Sequence, residues 1–174
     1  MANRIALLRG INLGPSRRVA MGELRDALSR AGYEDVRTHL QSGNVLLTSD
    51  RAPARLAGEL SALVASELGV ESEVVVRTRD ELADVVARNP FADEADDPKR
   101  LQVTFLADEP DAGFVRELRA GDFAPERCAV SGREIYAWHP DGIQRSRLAR
   151  ALSAGPGTGR NWNTVTKLLE LADG

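Results

Sequence analysis

Three polar segments of the sequence carry residue types suited to recognising a small molecule. The first is Arg9-Gly10-Ile11-Asn12-Leu13-Gly14, followed by Arg17 and Arg18. Gly10 and Gly14 let backbone N–H groups converge, and the guanidinium groups beside them add charge and forked donors that suit a phosphate or carboxylate. The segment matches neither the dinucleotide fingerprint nor the P-loop, and its glycines equally serve to relieve strain in a tight connection. The second, Gln41-Ser42-Gly43-Asn44, gathers two amides and a hydroxyl around a glycine, enough to grip a base, an amide or a carboxylate. The same residues are good turn formers, because Asn and Gly tolerate a left-handed backbone. The third, Arg160-Asn161-Trp162-Asn163, puts a guanidinium, two amides and an indole at a predicted helix start, where N–H groups are unpaired. Trp162 can stack on a ring there, or it anchors the helix to the core while Asn161 caps it.

Other reactive residue types are poorly placed for catalysis or metal binding. His39 and His139 are a hundred residues apart on predicted strands, so no metal-ligand spacing joins them. Cys128 lies inside a predicted strand without a neighbouring base, and Ser146 lacks the strand-turn-helix context of a nucleophile elbow. The acidic run Asp93-Glu94-Ala95-Asp96-Asp97 lacks the glycine and distal glutamate of a calcium loop. No reaction class, metal site or cofactor is therefore implied.

The elements that must position these segments are read from apolar periodicity. Residues 4–8 form a buried strand; Met21, Leu24, Leu28 and Ala31 repeat at helical spacing, with Gly32 as the stop. Strands at 36–40 and 44–49 flank the Gln41-Ser42-Gly43 turn, a helix opening near Pro53 carries Leu56, Leu60 and Val64, and Gly69 ends it before the strand at 74–76. Thr78-Arg79-Asp80-Glu81 has the form of a capping box ahead of a third helix. The order then recurs: strand 101–107, helix 111–120, strands 127–130 and 135–138, helix 144–154, and a closing helix bearing Val165, Leu168 and Leu169. This is an α/β (α+β) chain of two ferredoxin-like βαββαβ-type halves, the second ending in a helix in place of the last strand. The expected divisions are 1–79, a helix and acidic connector at 80–100, and 101–174.

Composition is that of an ordinary globular chain, with 43% hydrophobic and 28% charged residues over 174 positions. A single cysteine precludes an internal disulfide and fits a reducing compartment, and no apolar run reaches a membrane span or a signal-peptide core. The expected location is the cytoplasm, with no membrane partner. Net charge is −3, but residues 1–51 hold eight basic against five acidic side chains and residues 140–174 hold five against three. The ends are thus locally basic in an acidic protein, which favours a site-specific anionic ligand over general polyanion binding.

The motifs Arg9-Gly10-Ile11-Asn12-Leu13-Gly14, Met21 with Glu23-Leu24, Gln41-Ser42-Gly43-Asn44-Val45 and Arg160-Asn161-Trp162-Asn163-Thr164-Val165, with Asp141-Gly142 and Ser146, together resemble the domain-of-unknown-function 1697 family. The resemblance runs over nearly the whole chain and implies a bacterial-type cytosolic protein with a duplicated ferredoxin-like fold, without implying an activity. The sequence departs from the family's usual pattern at Arg147, where a lysine is common, and in its Ser16-Arg17-Arg18 loop.

The expected function is a cytosolic binding protein for a phosphorylated or nucleotide-like small molecule. Its candidate ligand-binding residues are Arg9, Gly10, Asn12, Gly14, Gln41, Ser42, Asn44, Ser146, Arg147, Arg160, Asn161, Trp162 and Asn163, drawn into one cleft. The alternatives are single-stranded nucleic-acid binding, for which the strands lack the aromatic pair of RNA-recognition sheets; an enzyme of unidentified class; and a self-association or protein-interaction module. The oligomeric state is open.

Overall fold

The computed structural model describes residues 1–174. Packing divides the chain into two units, Met1–Asp84 with Lys167–Gly174, and Val85–Thr166. One boundary, between Asp84 and Val85, falls within the expected helix and connector at 80–100, and the other, between Thr166 and Lys167, falls inside the closing helix.

In the first unit the order is β1 (Arg4–Leu8), α1 (Met21–Arg30), β2 (Glu34–His39), β3 (Asn44–Thr48), α2 (Pro53–Leu68), β4 (Val74–Thr78) and the start of α3 (Arg79–Ala87). The sheet is antiparallel with the strand order β2-β3-β1-β4, the ferredoxin-like arrangement. Ala6 and Leu8 of β1 join Val45, Leu47, Val74 and Val76 in one core with Leu24 and Leu28 of α1 and Leu56, Leu60 and Val64 of α2. Ile5, Leu7, Leu46, Val75 and Arg77 alternate with these residues and are buried as well. Burial on both faces explains why the strands read as continuous apolar runs rather than as apolar-polar alternation.

Local chemistry sets the ends of these elements. Pro53 opens α2, and Gly69 closes it in the left-handed conformation at φ 67°. The capping box ahead of α3 forms as expected: Glu81 N donates to Thr78 Oγ1 at 3.0 Å and Thr78 N donates to Glu81 Oε2 at 2.8 Å. On the edge strand β2 the register shifts between Glu34 and Arg37, with Asp35 at φ 53°.

The second unit repeats the plan. After the end of α3 come β5 (Leu101–Phe105), α4 (Ala112–Ala120), β6 (Arg127–Ser131), β7 (Glu134–Trp138), α5 (Arg147–Ala154), β8 (Thr158–Asn161) and the start of α6 (Trp162–Asp173). Its sheet order β6-β7-β5-β8 is that of the first half. Leu118 of α4 and Leu148 and Leu152 of α5 pack on Leu106, Ile135 and Ala137.

The half does end in a helix, but α6 follows a fourth strand instead of replacing it. The sequence hides β8 because Thr158-Gly159-Arg160-Asn161 has no apolar run and follows Gly155-Pro156-Gly157. A Cβ on Gly159 would meet the end of the Gln102 side chain, 2.6 Å from Nε2. Two helices also start later than their spacing suggested, at Ala112 and Arg147, because Asp111 and Ser146 are their caps.

Candidate functional site

The connection from β1 to α1 turns through three left-handed residues, Gly10 at φ 66°, Asn12 at φ 56° and Arg17 at φ 57°. It borders a cleft of about 800 Å3 lined by Arg9, Gly10 and Arg17 of this loop, Gly58, Ser61, Ala62 and Ala65 of α2, and Glu71, Ser72 and Glu73 leading into β4. The walls are stitched together by short bonds. Arg9 N donates to Glu73 O at 2.9 Å, Ser72 Oγ to Arg9 O at 2.8 Å, and Ser61 Oγ to Ser72 O at 2.8 Å. Arg17 Nη2 donates to the backbone carbonyl of Glu71, and Arg9 Nη1 stands 3.6 Å from Glu73 Oε2 with both side chains partly exposed. A second hollow of about 350 Å3 shares Arg17 and Glu71 and adds Arg18, Gly69 and Val70. Arg9 and Arg17 thus border the cleft, and Arg17 and Arg18 border the hollow that shares Arg17 and Glu71 with it.

Arg9 and Gly10 are the two members of the expected set that line this cleft. Asn12 is consumed by structure: its Oδ1 accepts from Val19 N at 2.8 Å, and its Nδ2 donates to Val19 O at 2.8 Å and to Gln41 O at 2.7 Å. It closes its own loop and ties it to the hairpin turn, so the first two sequence motifs do meet, through a bond that orders the backbone. Asn44 is buried, with Nδ2 donating to His39 O at 2.8 Å and to Ser42 Oγ at 3.0 Å. Gly43 sits at φ 86°, where a Cβ would come within 2.7 Å of Ile11 Cδ1 and 2.8 Å of Leu8 Cβ. Gly14 and Gln41 are exposed.

Arg17 lines the cleft as part of the first segment's charge, whereas the lining residues Ser61, Glu71, Ser72 and Glu73 were absent from the expected set. A sequence signal did exist for the floor, since Gly58, Ser61, Ala62 and Ala65 recur at i, i+3, i+4 and i+7 and leave one face of α2 without bulk. Glu71 and Glu73 gave none.

The remaining expected residues belong to the second unit. Arg160 is 7% exposed and donates to Thr158 Oγ1 at 2.7 Å and Gly159 O at 2.8 Å, and burial pulls its pKa down to about 10. Asn161 caps α6, accepting from Thr164 N at 3.0 Å. Trp162 is half-buried, while Asn163 and Arg147 are exposed.

Ser146 lies 1% exposed at the N-cap of α5, accepting from Ala149 N at 3.0 Å, with His139 Nδ1 at 2.7 Å. Burial pushes the Glu126 carboxyl up, but hydrogen bonds from its own amide, the Ser146 hydroxyl and the Arg147 amide hold it below the usual range. His139 Nδ1 and the Ser146 hydroxyl are in hydrogen-bond contact, with the donor set by the tautomer of the imidazole, and Nε2 is buried without a hydrogen-bond partner. The group holds β7, the start of β6 and α5 together.

No group of three or more His, Cys, Asp or Glu is placed to hold a metal ion. Burial raises the Cys128 thiol, with Arg119 offsetting part of the shift, so the reactive thiolate is disfavoured. No helix is long and apolar enough to cross a membrane.

A family model described as a protein of unknown function (DUF1697) matches residues 1–136. Among solved structures, the conserved bacterial protein SP0830 from Streptococcus pneumoniae is similar at a TM-score of 0.78 and 22% identity, with 99% of each chain covered. At that identity the likeness is one of fold. No curated protein matches the chain.

Proposed function

We propose that this chain, which belongs to the DUF1697 family of proteins of unknown function, binds a phosphorylated or nucleotide-like small molecule in the arginine-bordered cleft of its first unit. One observation carries the reading: from the β1-α1 connection, Arg9 and Arg17 border a cleft of about 800 Å3, and Arg17 and Arg18 border a second hollow that shares lining residues with it. That volume is in the range of small-molecule sites, and a guanidinium offers phosphate two parallel donors. With a net charge of −3 the whole molecule does not attract polyanions, so the anion is drawn by local charge and must be small enough to enter. The reading sets the protein in a reducing cytoplasm, supported by its one free cysteine.

Titrating inorganic phosphate, nucleoside monophosphates and sugar phosphates while following thermal unfolding tests it. A bound ligand raises the unfolding temperature by mass action, and Arg17→Ala is expected to weaken binding by about tenfold or more. The absence of any stabilisation at millimolar ligand would overturn the proposal.

A further inference from the structure

The arginines of the cleft do not stand alone. Glu71 and Glu73 belong to the same lining, and both are exposed on either side of buried Ser72. Arg17 is anchored on the backbone carbonyl of Glu71 rather than on its carboxylate, and the Arg9-Glu73 pair is loose and partly exposed. Among the lining residues, two guanidinium groups face a formal balance of two carboxylates. A ligand bearing only negative charge gains from one pair and is repelled by the other. A ligand bearing both signs is favoured by each, as charge complementarity across a site requires. Arg9 and Glu73 are 3.6 Å apart, so a ligand whose two charges lie only a few bonds from each other can meet both.

Resting on the reading of this cleft as a phosphate site, we propose that its ligand is a small zwitterionic phosphomonoester, the phosphate held by Arg9 and Arg17 and a nearby ammonium by Glu71 and Glu73. The class is that of the aminoalkyl phosphates.

Calorimetric titration with phosphoethanolamine, and with ethyl phosphate as its counterpart lacking the amine, tests the assignment. The expected result is a preference of about fivefold for phosphoethanolamine, the size of one or two solvent-exposed ion pairs. In the double variant Glu71→Gln/Glu73→Gln the preference disappears while ethyl phosphate binds as well as before or more tightly, which also shows that the variant is folded. Equal affinity of the two ligands for the unaltered protein would overturn the zwitterion assignment and leave the phosphate site standing. A preference that survives in the double variant would overturn it too, since the amine would then be held elsewhere. Binding of neither ligand would overturn the assignment and the phosphate site together.

Discussion

The two halves thread the same sheet order, yet they differ sharply in the connection from first strand to first helix. In the first half it spans residues 9–20, with Arg9, Arg17 and Arg18 and no acidic residue; in the second it spans residues 106–111, with Asp108, Glu109 and Asp111 and no basic one. The short connection is sufficient for the topology, so the extra length and the left-handed backbone of the first are not demands of the fold. The caps follow the same division. Asp111 Oδ1 accepts from Phe114 N at 2.8 Å at the start of α4, whereas Ala20 gives α1 no side-chain cap. One half spends this stretch on ending a strand and starting a helix economically, and the other spends it on a cationic rim. Duplication of a frame, then, does not duplicate its connections.

The sharpest way to break the contrast is Asn12→Ala. It removes three hydrogen bonds and leaves a φ of 56° that alanine tolerates poorly, so a loss of about 2–3 kcal/mol is expected in denaturant unfolding, together with weakened phosphate binding. Stability lost with phosphate affinity intact would show that the long loop serves only the fold.

Next in size is Ser146→Ala, which deletes the cap of α5 and the partner of His139 and Glu126. A loss of about 2 kcal/mol is expected, with ligand affinity unchanged because the cleft belongs to the other unit. The same cluster sets a pH dependence. Burial holds His139 below its ordinary value of about 6.5, with Glu126 offsetting part of the shift, so the unfolded chain takes up this proton more readily than the folded one. Stability from the neutral ring is therefore intact above about pH 6.5 and erodes as pH falls toward the depressed value. His139→Gln should flatten that slope in unfolding curves measured from pH 7 to 5, and an unchanged slope would assign it to other groups.

Asp111→Ala is expected to destabilise by about 1 kcal/mol through loss of the α4 cap. The converse change, Ala20→Ser at the uncapped start of α1, should add about 0.5 kcal/mol, because Ala20 already has the extended backbone of a cap at φ −73° and ψ 128°. A null result for the second alongside a loss for the first would mean that the first half satisfies its helix start by other means.

The frame was legible because its signals are local. The apolar run at 4–8, the helical spacing of Leu56, Leu60 and Val64, and the Thr78-Glu81 box each specify a backbone shape within a few residues. The strand β8 was not, because Thr158–Asn161 holds its place through pairing with Gln102 to Phe105, more than fifty residues earlier. The candidate site divided along the same line. Arg9 and Gly10 were visible in a single loop, but Ser61, Glu71 and Glu73 acquire meaning only when α2 and the approach to β4 fold beside it. Asn12 and Asn44 misled for the opposite reason: an amide reads identically in sequence whether it is offered to a ligand or spent on a backbone carbonyl, as both of these are.

The irregular edge strand β2 has a consequence for the protein's behaviour in a crowded solution. Between Glu34 and Arg37 the ladder slips, and Asp35 twists out of the extended conformation. A stranger's strand arriving at that side finds donors and acceptors out of step, so the first sheet resists being lengthened into a fibre. Straightening this kink would remove that obstacle at the β2 edge.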